Sequence, residues 1–230
     1  MEEFDKYYQI SIFNPPEFSI DMEILQLLLQ NLSEISGSGK SIVIRSRGPF
    51  FSMGYDSSCK LIRDSEFVGN IVSLGTAVMQ LIKNHNAPVI TYASGHAWGA
   101  ALELGIICDG FISSSECDFA YPDAMFQLPC VFTDPLTMKE SLGEKVFSRL
   151  ISGSRIDATE ALAHGIISDI GNLEDAIEKS IRMNNPTFID AKESSSVDQS
   201  RIRNHIKGVR SSDTTKIDLK GLEEYRRSHL

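Results

Sequence analysis

Apolar positions recur along this chain in two alternating rhythms, a short extended one and a longer helical one. Residues 7–13 alternate as a β-strand does and are closed by Asn14-Pro15-Pro16. Ile24, Leu25, Leu28, Leu29, Leu32 and Ile35 then fall on one helical stripe, with Ser19 or Asp21 as the cap and Gly37-Ser38-Gly39 as the stop. A short run at 41–45 predicts a buried strand, and 48–56 a loop. Phe67, Ile71, Leu74, Val78 and Leu81 or Ile82 carry a second long helix. Pro88 opens a strand at 89–93, a helix follows at 99–107, a strand at 111–114 and an extended piece at 118–121. Residues 136–150 predict another helix. Asp157 and Glu160 cap a short helix that closes at His164-Gly165, a strand follows at 166–170, and 173–183 is helical.

Strands and helices alternating this regularly predict an α/β core with largely parallel strands and no internal sequence repeat. After Pro186 the pattern weakens into serines and charges. The chain therefore divides into a core at 1–185 and a helical or oligomerisation segment at 186–230, mobile or ordered only against a partner subunit.

Composition changes this picture little. With 230 residues, 42% hydrophobic and 23% charged, the chain suits one substantial core with a smaller appendage. A net charge of −9 without a basic stripe argues against nucleic-acid binding. The acidic opening Met1-Glu2-Glu3-Phe4-Asp5 lacks the form of a signal peptide, and no apolar run reads as long enough for a bilayer. The four cysteines, at 59, 108, 117 and 130, show neither a CxxC pair nor metal spacing and read as small buried hydrophobes. A cytoplasmic protein with no membrane partner is the expectation.

Candidate chemistry concentrates in two turns. Phe51-Ser52-Met53-Gly54-Tyr55-Asp56 follows a strand and pivots at Gly54. Gly95-His96-Ala97-Trp98-Gly99-Ala100-Ala101-Leu102-Glu103-Leu104 ends a strand, turns on small residues and starts a helix. Small residues let a ligand approach the backbone, and the first N–H groups of a helix favour negative charge. If both turns lie at one end of neighbouring parallel strands, the amides of Met53 and Ala100 converge on one oxygen. On spacing alone, two ordinary loops are the plainer account.

Glu103 lies three residues after Ala100 and shares its face, among the apolar Leu104, Ile106 and Ile107, a costly setting for an unpaired charge. Asp123 follows Phe119-Ala120-Tyr121-Pro122. Asp109 reads as structural, Asp56 as a cap or loop ligand, and His96 as structural, with no paired acid nearby. No G-x-S-x-G, Walker loop, GxGxxG or HExxH occurs.

At these residues the chain resembles the enoyl-CoA hydratase/isomerase (crotonase) family. The matching segments are 51–56, then Ala87-Pro88-Val89-Ile90 leading into 94–104, Cys108-Asp109, 119–123, 152–161 and Gly165-Ile166-Ile167, together about residues 7–180. The resemblance implies a crotonase-like spiral of ββα turns with a helical C-terminal part, assembled as a homotrimer or a dimer of trimers. The carbonyl of an acyl-CoA thioester would sit between the backbone amides of Met53 and Ala100, with Ser52, Gly54, Asp56 and Gly99 around the substrate. Two glutamates hold the water in the hydratases, and the matching positions are Glu103 and Asp123. No metal or redox cofactor is implied, because the chemistry is enolate stabilisation with proton transfer.

The chain departs from the family pattern in places. Asp123 is one methylene shorter than the usual glutamate, and Ala100 and Ala101 replace glycines. Residues 127–133 replace a glycine-rich stretch, and no arginine stands near Asn14-Pro15-Pro16. Lys60 and Arg63 follow the first turn, where coenzyme A phosphates or plain solvent would explain them equally. Hydration of a 2-enoyl-CoA is the leading implication. A double-bond isomerase, which needs one carboxylate, and a non-catalytic acyl-CoA or partner-binding protein are the alternatives.

Overall fold

A computed structural model describes residues 1–56, 63–193 and 198–230; Cys59 and Lys60 lie outside these described residues. The chain opens with a hairpin of β1 (Glu2–Glu3) and β2 (Tyr7–Ile12). Helix α1 (Met22–Glu34) starts where the Asp21 side chain accepts the Ile24 N–H at 2.7 Å, the second of the two caps the sequence offered. Its stripe buries Ile24, Leu25, Leu28 and Leu32. Each such side chain withdrawn from water contributes about 1.5–3 kcal/mol.

The remaining chain coils in repeated turns, and the repeat positions the site. One turn runs from β3 (Ser41–Ser46) past Ser52 to α2 (Ser65–Asn84). The next runs through β4 (Val89–Ala93) and β5 (His96–Trp98) to α3 (Ala100–Ile107). The third runs through β6 (Gly110–Ser113) and β7 (Asp118–Ala120) to α4 (Pro135–Leu142) and α5 (Glu144–Ile151). First strands of the turns join one sheet, ordered β1-β2-β3-β4-β6-β9, with β9 at Asp169–Ile170, and parallel except at β1. Second strands join another, ordered β5-β7-β8, in which β8 (Arg155–Asp157) is antiparallel. Ser52 bridges Ala97, and Ala97 pairs with Phe119, so corresponding residues of three turns form one row. This is the α/β spiral of ββα turns that the resemblance implied.

Helix α6 (Ala158–Ala163), strand β9 (Asp169–Ile170) and helix α7 (Leu173–Met183) complete the body of the fold. Three local expectations differ. The helix predicted over 136–150 breaks into α4 and α5 at Gly143, whose φ of 75° ends one helix and begins the next. The strand predicted at 166–170 shortens to β9. β5 stands where the sequence suggested only a turn, because three residues in a small sheet leave no period to read.

Beyond Pro186 come α8 (Pro186–Glu193), α9 (Gln199–Arg210) and α10 (Leu219–His229). The segment read as mobile or partner-dependent packs on its own chain. Ile202, Val209, Ile217 and Leu222 belong to the main hydrophobic core. α2 corrects a further expectation, since by length and composition it is apolar enough to cross a membrane, with 50% of its apolar window buried. That buried side packs against α1, α3 and α9.

Candidate active site

The row Ser52–Ala97–Phe119 brings three loops to one place. Ser52 N–H donates to the His96 carbonyl at 3.0 Å, and Trp98 N–H returns a bond to the Ser52 carbonyl at 3.0 Å. Gly99 N–H reaches the Ala120 carbonyl at 2.9 Å. The residues that follow each position, 53–56, 99–103 and 121–123, therefore crowd together. A Cβ on Gly54 would fall 2.9 Å from the Trp98 carbonyl oxygen and 3.4 Å from the Ala100 nitrogen. Gly54 and Gly99 also adopt φ values of 85° and 56°, so both turns require glycine twice over.

Glu103 projects inward from α3 and is fully buried. Its Oε1 accepts the Tyr121 hydroxyl at 2.9 Å, and its Oε2 accepts the N–H groups of Val131 and Phe132, each at 2.9 Å. Cys130 Sγ lies 3.0 Å from the same Tyr121 oxygen. The stretch 127–133, which departs from the family pattern, thus supplies two donors to the acid. Burial pushes the Glu103 carboxyl up to about 8, although Phe132, Tyr121 and Val131 all pull it down; nearby Asp123 adds to the rise.

Asp123 is equally buried, but its surroundings differ. Neither of its oxygens has a hydrogen-bond partner among the described residues, and the Tyr55 hydroxyl also lacks one. Burial raises the Asp123 carboxyl to about 6, while the Arg226 guanidinium and the adjacent Ala100 N–H favour its charge. Glu103 and Asp123 both push the buried Tyr55 hydroxyl further up, so all three groups sense one another. Two acids held so near in a dry site cannot both ionise freely.

One candidate needs correction. The Met53 N–H donates to the Phe18 carbonyl at 2.7 Å, so it cannot also grip a ligand oxygen. Gly54 N–H is turned to Ser52 Oγ at 3.2 Å, which makes Ser52 a brace of the turn. Tyr55 N–H has no acceptor among the described residues. Among the described residues, the amide of this turn without an acceptor is therefore two residues later than the sequence suggested, and the Ala100 nitrogen lies across from Gly54, 3.4 Å from where a Cβ there would stand.

Asp56 lies at the edge of a groove of about 540 Å³ lined also by Phe18, Phe50, Met53, Glu223 and Arg226. With Tyr55 it lines a second cavity of about 200 Å³, beside Ile20, Phe67 and Ile71. Glu103 and Asp123 line neither. Arg226, from α10, donates to the Met53 carbonyl and is 8% exposed. A polar helix at the end of the chain gave no sign that it would reach this site.

His96 does have an acid, across the small sheet. Its Nδ1 stands 2.6 Å from Asp118 Oδ1, which also accepts the Trp98 indole N–H at 2.7 Å. Arg155 takes the other Asp118 oxygen at 2.9 Å. These bonds fasten β5 to β7 and β8, a structural role. Asp109 behaves as read, accepting the Val89 N–H at 2.8 Å and pairing with Lys192. Among the described residues no cluster of three metal-ligating side chains occurs.

Comparison with known proteins agrees with this architecture. The sequence pattern of the family described as enoyl-CoA hydratase/isomerase matches residues 5–222. The chain is 31% identical over 146 residues to enoyl-CoA hydratase domain-containing protein 3, mitochondrial, of Rattus norvegicus, covering 63% of this chain and 48% of that protein. The Homo sapiens protein of that name is 28% identical over 187 residues, covering 79% of this chain and 61% of the relative. The chain thus spans about half the length of the curated relatives it matches. Those relatives are named as mitochondrial, which lends no support to the expected cytoplasmic location. The crystal structure of enoyl-CoA hydratase from Bacillus halodurans superposes with a TM-score of 0.80 at 14% identity, covering 99% of this chain and 98% of that one, a likeness of fold.

Proposed function

Because the chain belongs to the enoyl-CoA hydratase/isomerase family, we propose that it hydrates a 2-enoyl-CoA thioester with Glu103 and Asp123 as the acid–base pair. The observation that carries this reading is the meeting of both buried acids with the Ala100 amide at the ends of one strand row. The thioester oxygen becomes enolate-like in the transition state and accepts the N–H groups of Ala100 and Tyr55. Each such donor is worth roughly 3 kcal/mol at a developing oxyanion.

The chemistry needs little else. Asp123, the lower of the two acids, takes a proton from water as the water oxygen bonds to the β-carbon. Glu103, held protonated by burial, gives a proton to the α-carbon. Once the proton on Asp123 has returned to Glu103 through solvent, atoms balance with one water added and no electron gained or lost, so the reading calls for no metal or redox cofactor. Assembly as a homotrimer or a dimer of trimers belongs to the same reading, and sedimentation of the purified protein distinguishes them.

One observation favours a second reading. Both Glu103 oxygens are engaged by donors, which leaves Asp123 as the carboxyl with open lone pairs. A single carboxylate suffices to move a proton between carbons in a double-bond isomerase. Absorbance of the conjugated thioester separates the two. Hydratase activity lowers it with crotonyl-CoA, isomerase activity raises it with a 3-enoyl-CoA, and silence toward both with CoA-ester binding retained sinks the catalytic reading.

A further inference from the structure

Among the described residues Arg226 is the cation whose charge bears on Asp123, and its placement is specific. Asp218 caps α10 by accepting the Gly221 N–H at 2.9 Å, and Leu222 is fully buried in the core. Tyr225 pins the next turn, with its hydroxyl donating to the Gly153 carbonyl at 2.9 Å and its ring edge-on to Trp98 at 5.8 Å. The helix thereby drives the Arg226 side chain inward, where one guanidinium nitrogen donates to the Met53 carbonyl.

We propose that Arg226 is a positioning residue that divides the proton roles of the acid pair, keeping Asp123 as the carboxylate that accepts a proton and leaving Glu103 as the donor. This rests on the reading of Glu103 and Asp123 as the acid–base pair. A base must be charged and yet keep its lone pairs open. A bidentate salt bridge would supply the charge and consume the lone pairs. Here the guanidinium spends a donor on the Met53 carbonyl, and neither Asp123 oxygen has a hydrogen-bond partner among the described residues. The cation therefore acts on Asp123 through its field in a dry interior, where charges are felt strongly.

The surrounding groups make that field one-sided. Asp123 shares its pocket with Glu103, Tyr55, Tyr121 and Cys130, none of which is a cation, and with the Ala100 N–H. Arg226 in turn faces Asp56 and Glu223 as well as Asp123. Arginine suits this role because its guanidinium resists deprotonation even when buried.

The test compares wild type with Arg226→Met and Arg226→Lys. Its first readout needs no substrate: the Asp123 carboxyl is titrated by carbon-13 NMR in the ligand-free protein. Arg226→Met moves that titration upward by about one pH unit, and Arg226→Lys restores most of it. With a 2-enoyl-CoA, the acidic limb of kcat against pH moves up by the same amount in Arg226→Met. The variant is then about fivefold slower at pH 6, recovers at pH 8, and shows little change in KM. Equal Asp123 titrations in wild type and both variants overturn the proposal and leave the acid–base reading intact. A shifted titration without turnover by any form upholds the field and sinks that reading instead. Should Arg226→Met fail to fold, an Arg226→Lys protein whose Asp123 titrates like a carboxyl with no cation near it also overturns the proposal.

Discussion

Asp123 rests directly on Gly99: a Cβ at position 99 would fall 1.9 Å from Asp123 Oδ2. The same glycine has a φ of 56° and precedes the Ala100 amide. One small residue therefore sets the turn, the start of α3 and the seat of the acid. Gly99→Ala is expected to cost about 1–3 kcal/mol from backbone strain and more from the collision. Turnover should fall about a hundredfold, because the acid is displaced by about 1 Å. Gly165→Ala is the control, with a φ of 70° but nothing within 4 Å of its Cβ position. Urea unfolding of both variants measures the collision as the difference between them, and equal losses would mean that Asp123 yields freely.

The Tyr55 hydroxyl is buried without a partner. An unsatisfied buried hydroxyl costs about 1–3 kcal/mol. Tyr55→Phe should therefore leave stability unchanged or raise it, by up to about 1 kcal/mol. A clear loss of stability in urea would show that the hydroxyl is hydrogen-bonded in solution.

The parts of this protein that were legible in its sequence are those set by local pattern. The span of α7 and the caps at Asp21 and Asp157 needed only periodicity and a polar side chain at the right offset. Glu103 stood out because a lone acid in an apolar helix needs partners. Those partners, Tyr121, Val131 and Phe132, come from a stretch whose conformation no period announces. Met53 was the wrong amide because a distant carbonyl, that of Phe18, decides which N–H of the turn is spent. The Asp118 partner of His96 and the inward turn of Arg226 were hidden for the same reason: each depends on contacts between segments far apart in the chain.

Glu103→Gln tests the inner acid without emptying its site. A glutamine can turn its oxygen to the Val131 and Phe132 N–H groups and its amide nitrogen to the Tyr121 oxygen. The fold should hold, with a loss of about 1–2 kcal/mol, while turnover drops about 10²–10⁴-fold. CoA-ester affinity should stay within a few fold, as isothermal titration calorimetry would report. Glu103→Ala strands all three donors and is expected to cost about 3 kcal/mol or more. Lost affinity with an intact rate in Glu103→Gln would place Glu103 in binding rather than in proton transfer.

The raised carboxyls also make stability depend on pH, with a definite sign. Glu103 moves from 4.5 to about 8 and Asp123 from 3.8 to about 6, so the folded chain holds protons that the unfolded chain releases. Where the folded state binds more protons, stability falls as pH rises. The contribution is complete below about pH 3, where both acids are protonated in either state. It declines as the unfolded carboxyls ionise and is gone once pH passes the folded values. From about pH 5 to 6 both groups act, and from 6 to 8 Glu103 acts alone, each at about 1.4 kcal/mol per pH unit. Glu103→Gln removes its share, so its urea midpoint should fall less steeply than that of wild type between pH 6 and 8. Parallel curves would mean that the three donors outweigh burial and Glu103 is already a carboxylate at neutral pH, which would reverse its assignment as the proton donor.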